Sequence, residues 1–223
     1  MKRINKSNHQ HAIAEMEICL YKKQFDNREM RLIAMDCNFH LALMHYWANQ
    51  WYATKYWQMH PDNQSFLAYY KNKMNSNWEN VLIVYLDNFP VSQIDIYQVN
   101  KVILSNFIET GQDDFGIHLL MAPYRQLIKH FGAETKRLSH RIIQCVLEYL
   151  FYNCKANAVF AEPDILNVPA CRLAESTGFT FLRNIDLTYK TGKLYNYARD
   201  TFIEKYPAPK HVNYMNLFPD KGL

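Results

Sequence analysis

Glycine is scarce, with six in 223 residues, at positions 111, 116, 132, 178, 192 and 222. No two have the spacing of GxGxxG, so the dinucleotide-binding fingerprint is absent. Gly111 and Gly116 have P-loop spacing, but Ile117 stands where a P-loop needs lysine. The GxSxG, HExxH and EF-hand patterns are also missing, which removes the common hydrolase, metalloprotease and calcium-loop signatures. Cysteine is limited to five residues, an odd number with no CxxC pair. That argues against a disulfide framework or a zinc knuckle and fits reduced thiols in a cytoplasmic protein. Cys145 and Cys171 fall on helical patterns without a neighbouring histidine and read as inert buried thiols. Blocks of like charge are absent. Residues 1–11 are polar and basic with no apolar stretch, so they do not form a signal peptide. The longest uncharged run, residues 37–54, carries Asn38, His40, His45, Asn49 and Gln50. A bilayer does not accept those side chains cheaply, so no membrane span is expected.

The chain is otherwise ordinary in hydrophobic content (49%) and slightly poor in charge (21%), but rich in aromatics (15%). Its length suits one large domain able to bury roughly 70% of its unfolded surface. A net charge of +4 is too small for a dedicated nucleic-acid binder but suits an anionic small ligand.

Apolar periodicity predicts strands at 30–34, 81–86, 90–99, 116–122, 158–161, 179–187 and 193–199. It predicts helices at 39–50, 63–73, 138–151 and 168–177, with Asn63 as an N-cap and Gly178 closing the last. Asp87-Asn88 supplies a hairpin turn, and residues 123–134 are expected to form a loop. Along 116–122, Ile117, Leu119 and Met121 face one side while His118 and Leu120 face the other. This is one α/β domain with a mixed central sheet flanked by helices, over residues 12–210. A flexible N-terminal tail (1–11) and a C-terminal tail (211–223) bracket it.

The helix at 138–151 opens with the wrong charge. Lys136, Arg137, His140 and Arg141 crowd its first turns, after Arg125, Lys129 and His130. Cations there oppose the macrodipole, and a bound anion such as a phosphorylated ligand would reverse that penalty. A solvated helix end explains the same pattern. His118 lies mid-strand. Asp164 ends the next strand after Glu162-Pro163, where α/β sheets commonly bind ligands, although a helix N-cap role fits it as well. If the two strands are neighbours, His118 and Asp164 share one cleft. Trp47, Trp51, Tyr52, Tyr56 and Trp57 cluster around the end of the first helix, as a pocket wall or as core packing.

Several segments together resemble one family. They are Gly116-Ile117-His118-Leu119-Leu120-Met121-Ala122-Pro123, the helix ending Val146-Leu147-Glu148-Tyr149-Leu150-Phe151, and Ala161-Glu162-Pro163-Asp164 with Asn167. Gly178-Phe179 followed by Lys190-Thr191-Gly192-Lys193-Leu194-Tyr195 belongs with them. So do the stretch from His45-Tyr46-Trp47 to Tyr56-Trp57, and Pro90-Val91-Ser92 with Asp95 and Tyr97. Residues 30–202 resemble the siderophore-biosynthesis branch of the GNAT acyltransferases, the aerobactin-type N-hydroxylysine acetyltransferases and their relatives.

The resemblance implies a sheet splayed between its fourth and fifth strands to admit acetyl-CoA or another acyl-CoA, with no metal. Cofactor contacts are implied at Leu120, Ala122, Gly132, Lys136, Arg137, Arg141, Asn167 and Ala170. His118 and Asp164 match the branch's catalytic pair. Trp47, Trp57, Asp95 and Lys190 are implied at the substrate. The usual Gln/Arg-x-x-Gly-x-Gly/Ala loop is degenerate, although Gly132 survives. Ala174 stands where many GNAT enzymes carry the tyrosine that protonates the leaving thiolate. The implied substrate is the hydroxylamine of an N-hydroxylated lysine or diamine, which becomes a hydroxamate. Its supply and use imply links to an N-hydroxylating monooxygenase and a siderophore synthetase, with no nucleic-acid or membrane partner. Two other readings are an aminoglycoside-type N-acetyltransferase, with Asp95, Asp113, Asp114 and Asp164 forming an acidic pocket, and a GNAT-like module that binds CoA without catalysis.

Overall fold

The computed structural model describes residues 18–57 and 62–208; the expected tails, 1–11 and 211–223, lie outside them. Eight strands form one sheet: β1 (Cys19–Phe25), β2 (Arg28–Ala34), β3 (Glu79–Leu86), β4 (Phe89–Gln98), β5 (Asp114–Met121), β6 (Ala158–Ala161), β7 (Thr180–Asp186) and β8 (Thr191–Ala198). Their spatial order is β1-β2-β3-β4-β5-β6-β8-β7. Every pair is antiparallel except β5–β6. The helices are α1 (Cys37–Ala48), a single turn α2 (Trp51–Thr54), α3 (Asn63–Met74), α4 (Tyr124–Phe131), α5 (Leu138–Glu148), α6 (Val168–Thr177) and α7 (Arg199–Lys205).

The two sheet faces can be told apart from the register. Asp95 pairs with His118 across β4–β5, and Tyr97 pairs with Gly116, so these residues share one face. Helices α1 and α3 cover it. His40 of α1 meets the Tyr85 hydroxyl at 3.2 Å, and Lys73 of α3 donates to Asp95 at 2.8 Å. Ile117 and Leu119 point to the opposite face, where α5 lies. There the buried Glu148 accepts from Tyr21 at 2.7 Å and from Gln144 at 3.1 Å, and pairs with Lys23. One carboxylate thus fastens the edge strand β1 to the central helix. The core fills both faces, with Met30, Leu32, Ile94, Ile142, Val146 and Leu150 all at most 0% exposed.

Local chemistry explains most boundaries. Asp26 and Asp87 adopt left-handed backbone at the β1–β2 and β3–β4 hairpin turns, a conformation that Asp tolerates better than most residues. Gly178 ends α6 at φ +108°, as expected of a C′ glycine. Three expectations change. The N-cap of α3 is Asp62, whose side chain accepts from Ser65 N–H at 2.8 Å, and not Asn63. The expected loop 123–134 contains α4, because Leu127 and Phe131, one turn apart, are both buried. β1 and α7 were not anticipated; β1 alternates only weakly and α7 is seven residues long. After Glu148 the helix widens into a π turn over Tyr149–Asn153. Among the described residues, no helix is long and apolar enough to cross a membrane.

Replacing Glu148 with Gln should cost about 2 kcal/mol, since it leaves the partly exposed Lys23 unpaired and weakens the Tyr21 bond. Urea unfolding checks this. A change under about 0.5 kcal/mol would show that apolar contacts alone dock β1.

Candidate active site

β5 and β6 pair only through Asp114–Ala158, Phe115–Val159 and Gly116–Phe160. Beyond Gly116 the strands diverge. The bond from Ala122 N–H to the Val91 carbonyl, 2.9 Å, sets the phase of the β4–β5 ladder. Peptide groups of Gly116, His118 and Leu120 therefore turn toward β4, and those of Ile117, Leu119 and Met121 turn toward the gap. Counting from β2, the first strand the sequence predicts, the gap falls between the fourth and fifth strands as expected. Leu120 and Ala122, expected at the cofactor, do not offer their peptide groups there; both residues are buried. Ile117, Leu119 and Met121 present their peptide groups to the gap instead.

A cleft of about 140 Å³ passes through the gap. On the α5–α6 side it is lined by Ile143, Ala170, Leu173, Ala174 and Phe179, an apolar channel. On the other side lie Tyr56, Trp57, His118, Glu162, Asp164 and Lys190. Because consecutive β5 side chains point to opposite faces, Ile117, His118 and Leu119 all line it. Such a passage can bring a long ligand from one face to a polar acceptor on the other. α2 and the residues after it span the opening: Tyr52 donates to the Met121 carbonyl at 2.8 Å, and the Tyr56 hydroxyl to the Leu166 carbonyl at 3.0 Å.

The polar centre is built around Glu162. Its Oε1 lies 2.6 Å from His118 Nε2, and its Oε2 accepts from the Tyr97 hydroxyl at 2.7 Å. Lys190 Nζ donates to the Glu162 carbonyl at 2.6 Å and sits 3.6 Å from Oε1. Burial would raise the Glu162 carboxyl. The His118 charge and hydrogen bond, with Lys190 and Tyr97, outweigh burial and hold it at about 2, so it is ionised. Burial, then the Glu162 charge, push the Tyr97 phenol well up and keep it a donor. Tyr97 reaches this position because its ring covers Gly116: a Cβ on Gly116 would stand 2.1 Å from the ring. The Gly116-x-His118 spacing therefore has a packing cause.

Other expected residues divide. Asp164 lines the cleft, and its Oδ1 accepts from Leu166 N–H at 2.8 Å in a tight turn. It does not orient His118; Glu162 does. Nor does it cap α6. Asn167 does that, its side chain accepting from Ala170 N–H at 3.3 Å, while also lining the cleft. Trp57 stands edge-on to His118, ring centres 6.4 Å apart. Trp47 is core, 1% exposed, and not at the substrate. Asp95 is buried and held by Lys73 at 2.8 Å and Gln93 at 2.7 Å. Burial would lower the Lys73 pKa, but chiefly the Asp95 charge raises it, so the ammonium stays charged. That pair is closed to a substrate. Arg141 turns away from the gap and pairs with Asp26 at 2.6 Å. Arg137 flanks α5 on the same side, in a cavity shared with Arg141 and His140. Gly132 ends α4 at φ +53°, and Lys136 is exposed. Cys145 is buried, which pushes its thiol well up. Sequence reasoning singled out neither Glu162 nor Tyr97 as site residues; the signals were Glu162 beside Asp164 and Tyr97 two residues from Asp95.

The acetyltransferase (GNAT) domain family matches residues 36–187. The chain belongs to the GNAT acetyltransferases. An N-hydroxyputrescine acetyltransferase of Acinetobacter baumannii is 24% identical over 165 residues, 74% of this chain and 76% of that one. An uncharacterized protein from Bacillus halodurans superposes with a TM-score of 0.75 at 18% identity, over 85% of this chain and 95% of that one. Aminoglycoside acetyltransferase AAC(6')-Ib in complex with coenzyme A gives 0.68 at 19% identity, over 79% and 98%. At such identities these two structures speak for the fold alone. The protein is a GNAT N-acyltransferase, and acetyl-CoA is the co-substrate that fits its split sheet. The residues present suit that thioester: gap-facing peptide groups left over from the ladder, an apolar channel and a helix N-terminus at Asn167. Among the described residues, no group of three or more His, Cys, Asp or Glu is placed to hold a metal.

The depressed Glu162 pKa has a stability consequence. A carboxyl at about 2 when folded, against an ordinary 4.5, adds stability that is complete above pH 4.5 and is lost as pH falls toward 2. The stability gap between wild type and Glu162→Gln should therefore shrink by roughly 3 kcal/mol across that window. Urea midpoints at stepped pH measure it. A gap that does not vary with pH would mean Glu162 is not buried as the anion.

Proposed function

We propose that the protein transfers the acetyl group of acetyl-CoA to the hydroxylamine nitrogen of an N-hydroxylated diamine, forming a hydroxamate for siderophore biosynthesis. The observation that carries this is the charge of the cleft beside His118. Two carboxylates, Glu162 and Asp164, face one ammonium, Lys190, and Lys190 is already satisfied by Glu162. The second oxygen of Asp164 has no partner among the described residues. One acceptor for a distant ammonium, and no unpaired cation for a carboxylate, favours a diamine over an amino acid. The similarity to an N-hydroxyputrescine acetyltransferase supports the same class.

A hydroxylamino nitrogen is much less basic than an alkylamine and is largely neutral near pH 7, so it attacks the thioester carbonyl without prior deprotonation. As the C–N bond forms, His118 accepts the nitrogen's proton. The Leu119 N–H, aimed at the gap, polarises the carbonyl oxygen. The C–S bond then breaks, and the thiolate takes a proton. Ala174 cannot supply it, so His118, protonated in the first step, is the donor. Hydroxamate oxygens are hard donors suited to ferric iron, and such a product calls for an upstream N-hydroxylating monooxygenase and a downstream siderophore synthetase.

The aminoglycoside reading draws on the fold neighbour, but a polycation needs several free carboxylates. Of Asp95, Asp113, Asp114 and Asp164, only Asp164 lines the cleft.

Thiol release from acetyl-CoA is the test, with N-hydroxyputrescine, N-hydroxycadaverine, N-hydroxylysine, the parent amines and kanamycin as acceptors. Fast turnover confined to the N-hydroxydiamines is expected; preference for kanamycin or a parent amine sinks the proposal. His118→Ala should lower kcat by roughly 10²- to 10⁴-fold, and Asp164→Asn should act mainly on KM for the diamine. A folded His118→Ala with near-wild-type kcat removes histidine from the mechanism.

A further inference from the structure

We propose that Glu162 is the positioning residue that selects the reacting nitrogen of His118: it holds the hydrogen on Nε2 and leaves Nδ1 as the bare, proton-accepting atom. This deepens the reading that His118 takes the substrate's proton, and it rests on that reading.

The argument begins with donors and acceptors. An ionised carboxylate can only accept hydrogen bonds. Tyr97 fills Oε2 at 2.7 Å, and His118 Nε2 stands 2.6 Å from Oε1. Nε2 must therefore carry a hydrogen. A neutral imidazole has one N–H, so Nδ1 keeps its lone pair. Among the described residues Nδ1 has no hydrogen-bond partner, and the His118 side chain is 39% exposed, in the cleft. A proton arriving at Nδ1 produces an imidazolium beside the buried carboxylate, which stabilises that charge without moving.

Three contacts keep the carboxylate aimed. Tyr97, seated over Gly116, fixes Oε2. Lys190 holds the main-chain carbonyl of the same residue and lies 3.6 Å from Oε1. Glu162 is itself only 5% exposed, so water does not compete for its oxygens. Asp164, two residues on, is committed to the Leu166 N–H. Two acids close in sequence thus have separate tasks, one behind the imidazole and one toward the acceptor.

The direct test is the tautomer. Protein labelled with ¹⁵N-histidine is examined by long-range ¹H–¹⁵N correlation at about pH 8.5, where an ordinary imidazole is neutral. The His118 signals are assigned by their loss in His118→Gln. The expected pattern in the neutral ring is a protonated Nε2 and a bare Nδ1; a neutral ring with its hydrogen on Nδ1 overturns the proposal. This readout needs no acceptor, so it stands apart from the identity of the substrate. In Glu162→Gln the amide can donate as well as accept, so a mixture of tautomers is expected. With the best acceptor, kcat should fall by roughly 10²- to 10⁴-fold, the scale known for a wrong tautomer, while KM for acetyl-CoA stays within about twofold. A folded Glu162→Gln that keeps kcat within threefold overturns the proposal. If that variant does not fold, Tyr97→Phe replaces it. Tyr97→Phe removes one donor from the carboxylate and should lower kcat by about tenfold; unchanged kcat and an unchanged tautomer in Tyr97→Phe count against the clamp.

Discussion

Three residue pairs join β5 to β6, and then the ladder stops. An interrupted parallel pairing is costly, because buried peptide groups need partners. The sheet tolerates it at one place, and the rest of the molecule is arranged around that place. β4 holds the other edge of β5 along its length, so β5 stays extended without β6. α5 and α6 wall one side of the opening. Tyr52 of α2 and Tyr56 just after it span the opening, and Tyr52 satisfies the Met121 carbonyl. The gap-facing groups of Ile117 and Leu119 remain for an extended ligand, and a pantetheine arm carries amides suited to them. The break in the ladder is thus also the reason the fold binds a thioester.

The second dependence is electrostatic. Burying one carboxylate is expensive unless its lone pairs are filled and its charge is opposed. Glu162 meets both conditions with His118, Tyr97 and Lys190. Asp95 meets them with Lys73 and Gln93, even though Lys73 is shared with Glu79, 3.2 Å away. The two clusters share a face of the sheet, yet differ in what they leave open. Lys73 and Asp95 exhaust each other under α3, which makes them a fastening for that helix. The Glu162 cluster contains a partly exposed imidazole with a free nitrogen, which is what the proposed proton transfer requires. Burial and pairing are common to both; the difference is that the imidazole of the Glu162 cluster is partly exposed in the cleft.

Much of the architecture was legible in the sequence because its signals are local. The long amphipathic pattern of α5, the Gly178 cap, the Asp87-Asn88 turn and the alternation along β5 all survive in three dimensions. His118 and Asp164 do line one cleft, since the pairing of neighbouring strands was enough to bring them together. What the sequence does not carry is direction and partner. Leu120 and Ala122 lie in the right strand, but only the ladder's phase tells which peptide groups face the gap. Arg141 lies on the right helix, yet its partner Asp26 is 115 positions away. Trp47 and Asp95 belong to the right segments and point into the core. α4 was hidden because a single pair of apolar residues, Leu127 and Phe131, is a weak period in an eight-residue helix.

Glu162 shows the same limit most sharply. Beside Pro163 and Asp164 it looks like one of two interchangeable acids, and its neighbour has the more exposed place. What separates them is Gly116. Only a residue without a side chain lets the Tyr97 ring settle across β5, and only that ring places a hydroxyl against Oε2. The glycine scarcity of the chain therefore acquires a meaning: one of the few glycines present makes room for a tyrosine, the tyrosine steadies a buried anion, and the anion decides the hydrogen-bonding state of the histidine. The aminoglycoside acetyltransferase shares the fold, and a fold alone does not choose an acceptor. In the reading proposed above, the choice lies with the side chains that close its polar end, where the one oxygen that Asp164 keeps free of the Leu166 bond would meet a single distant ammonium.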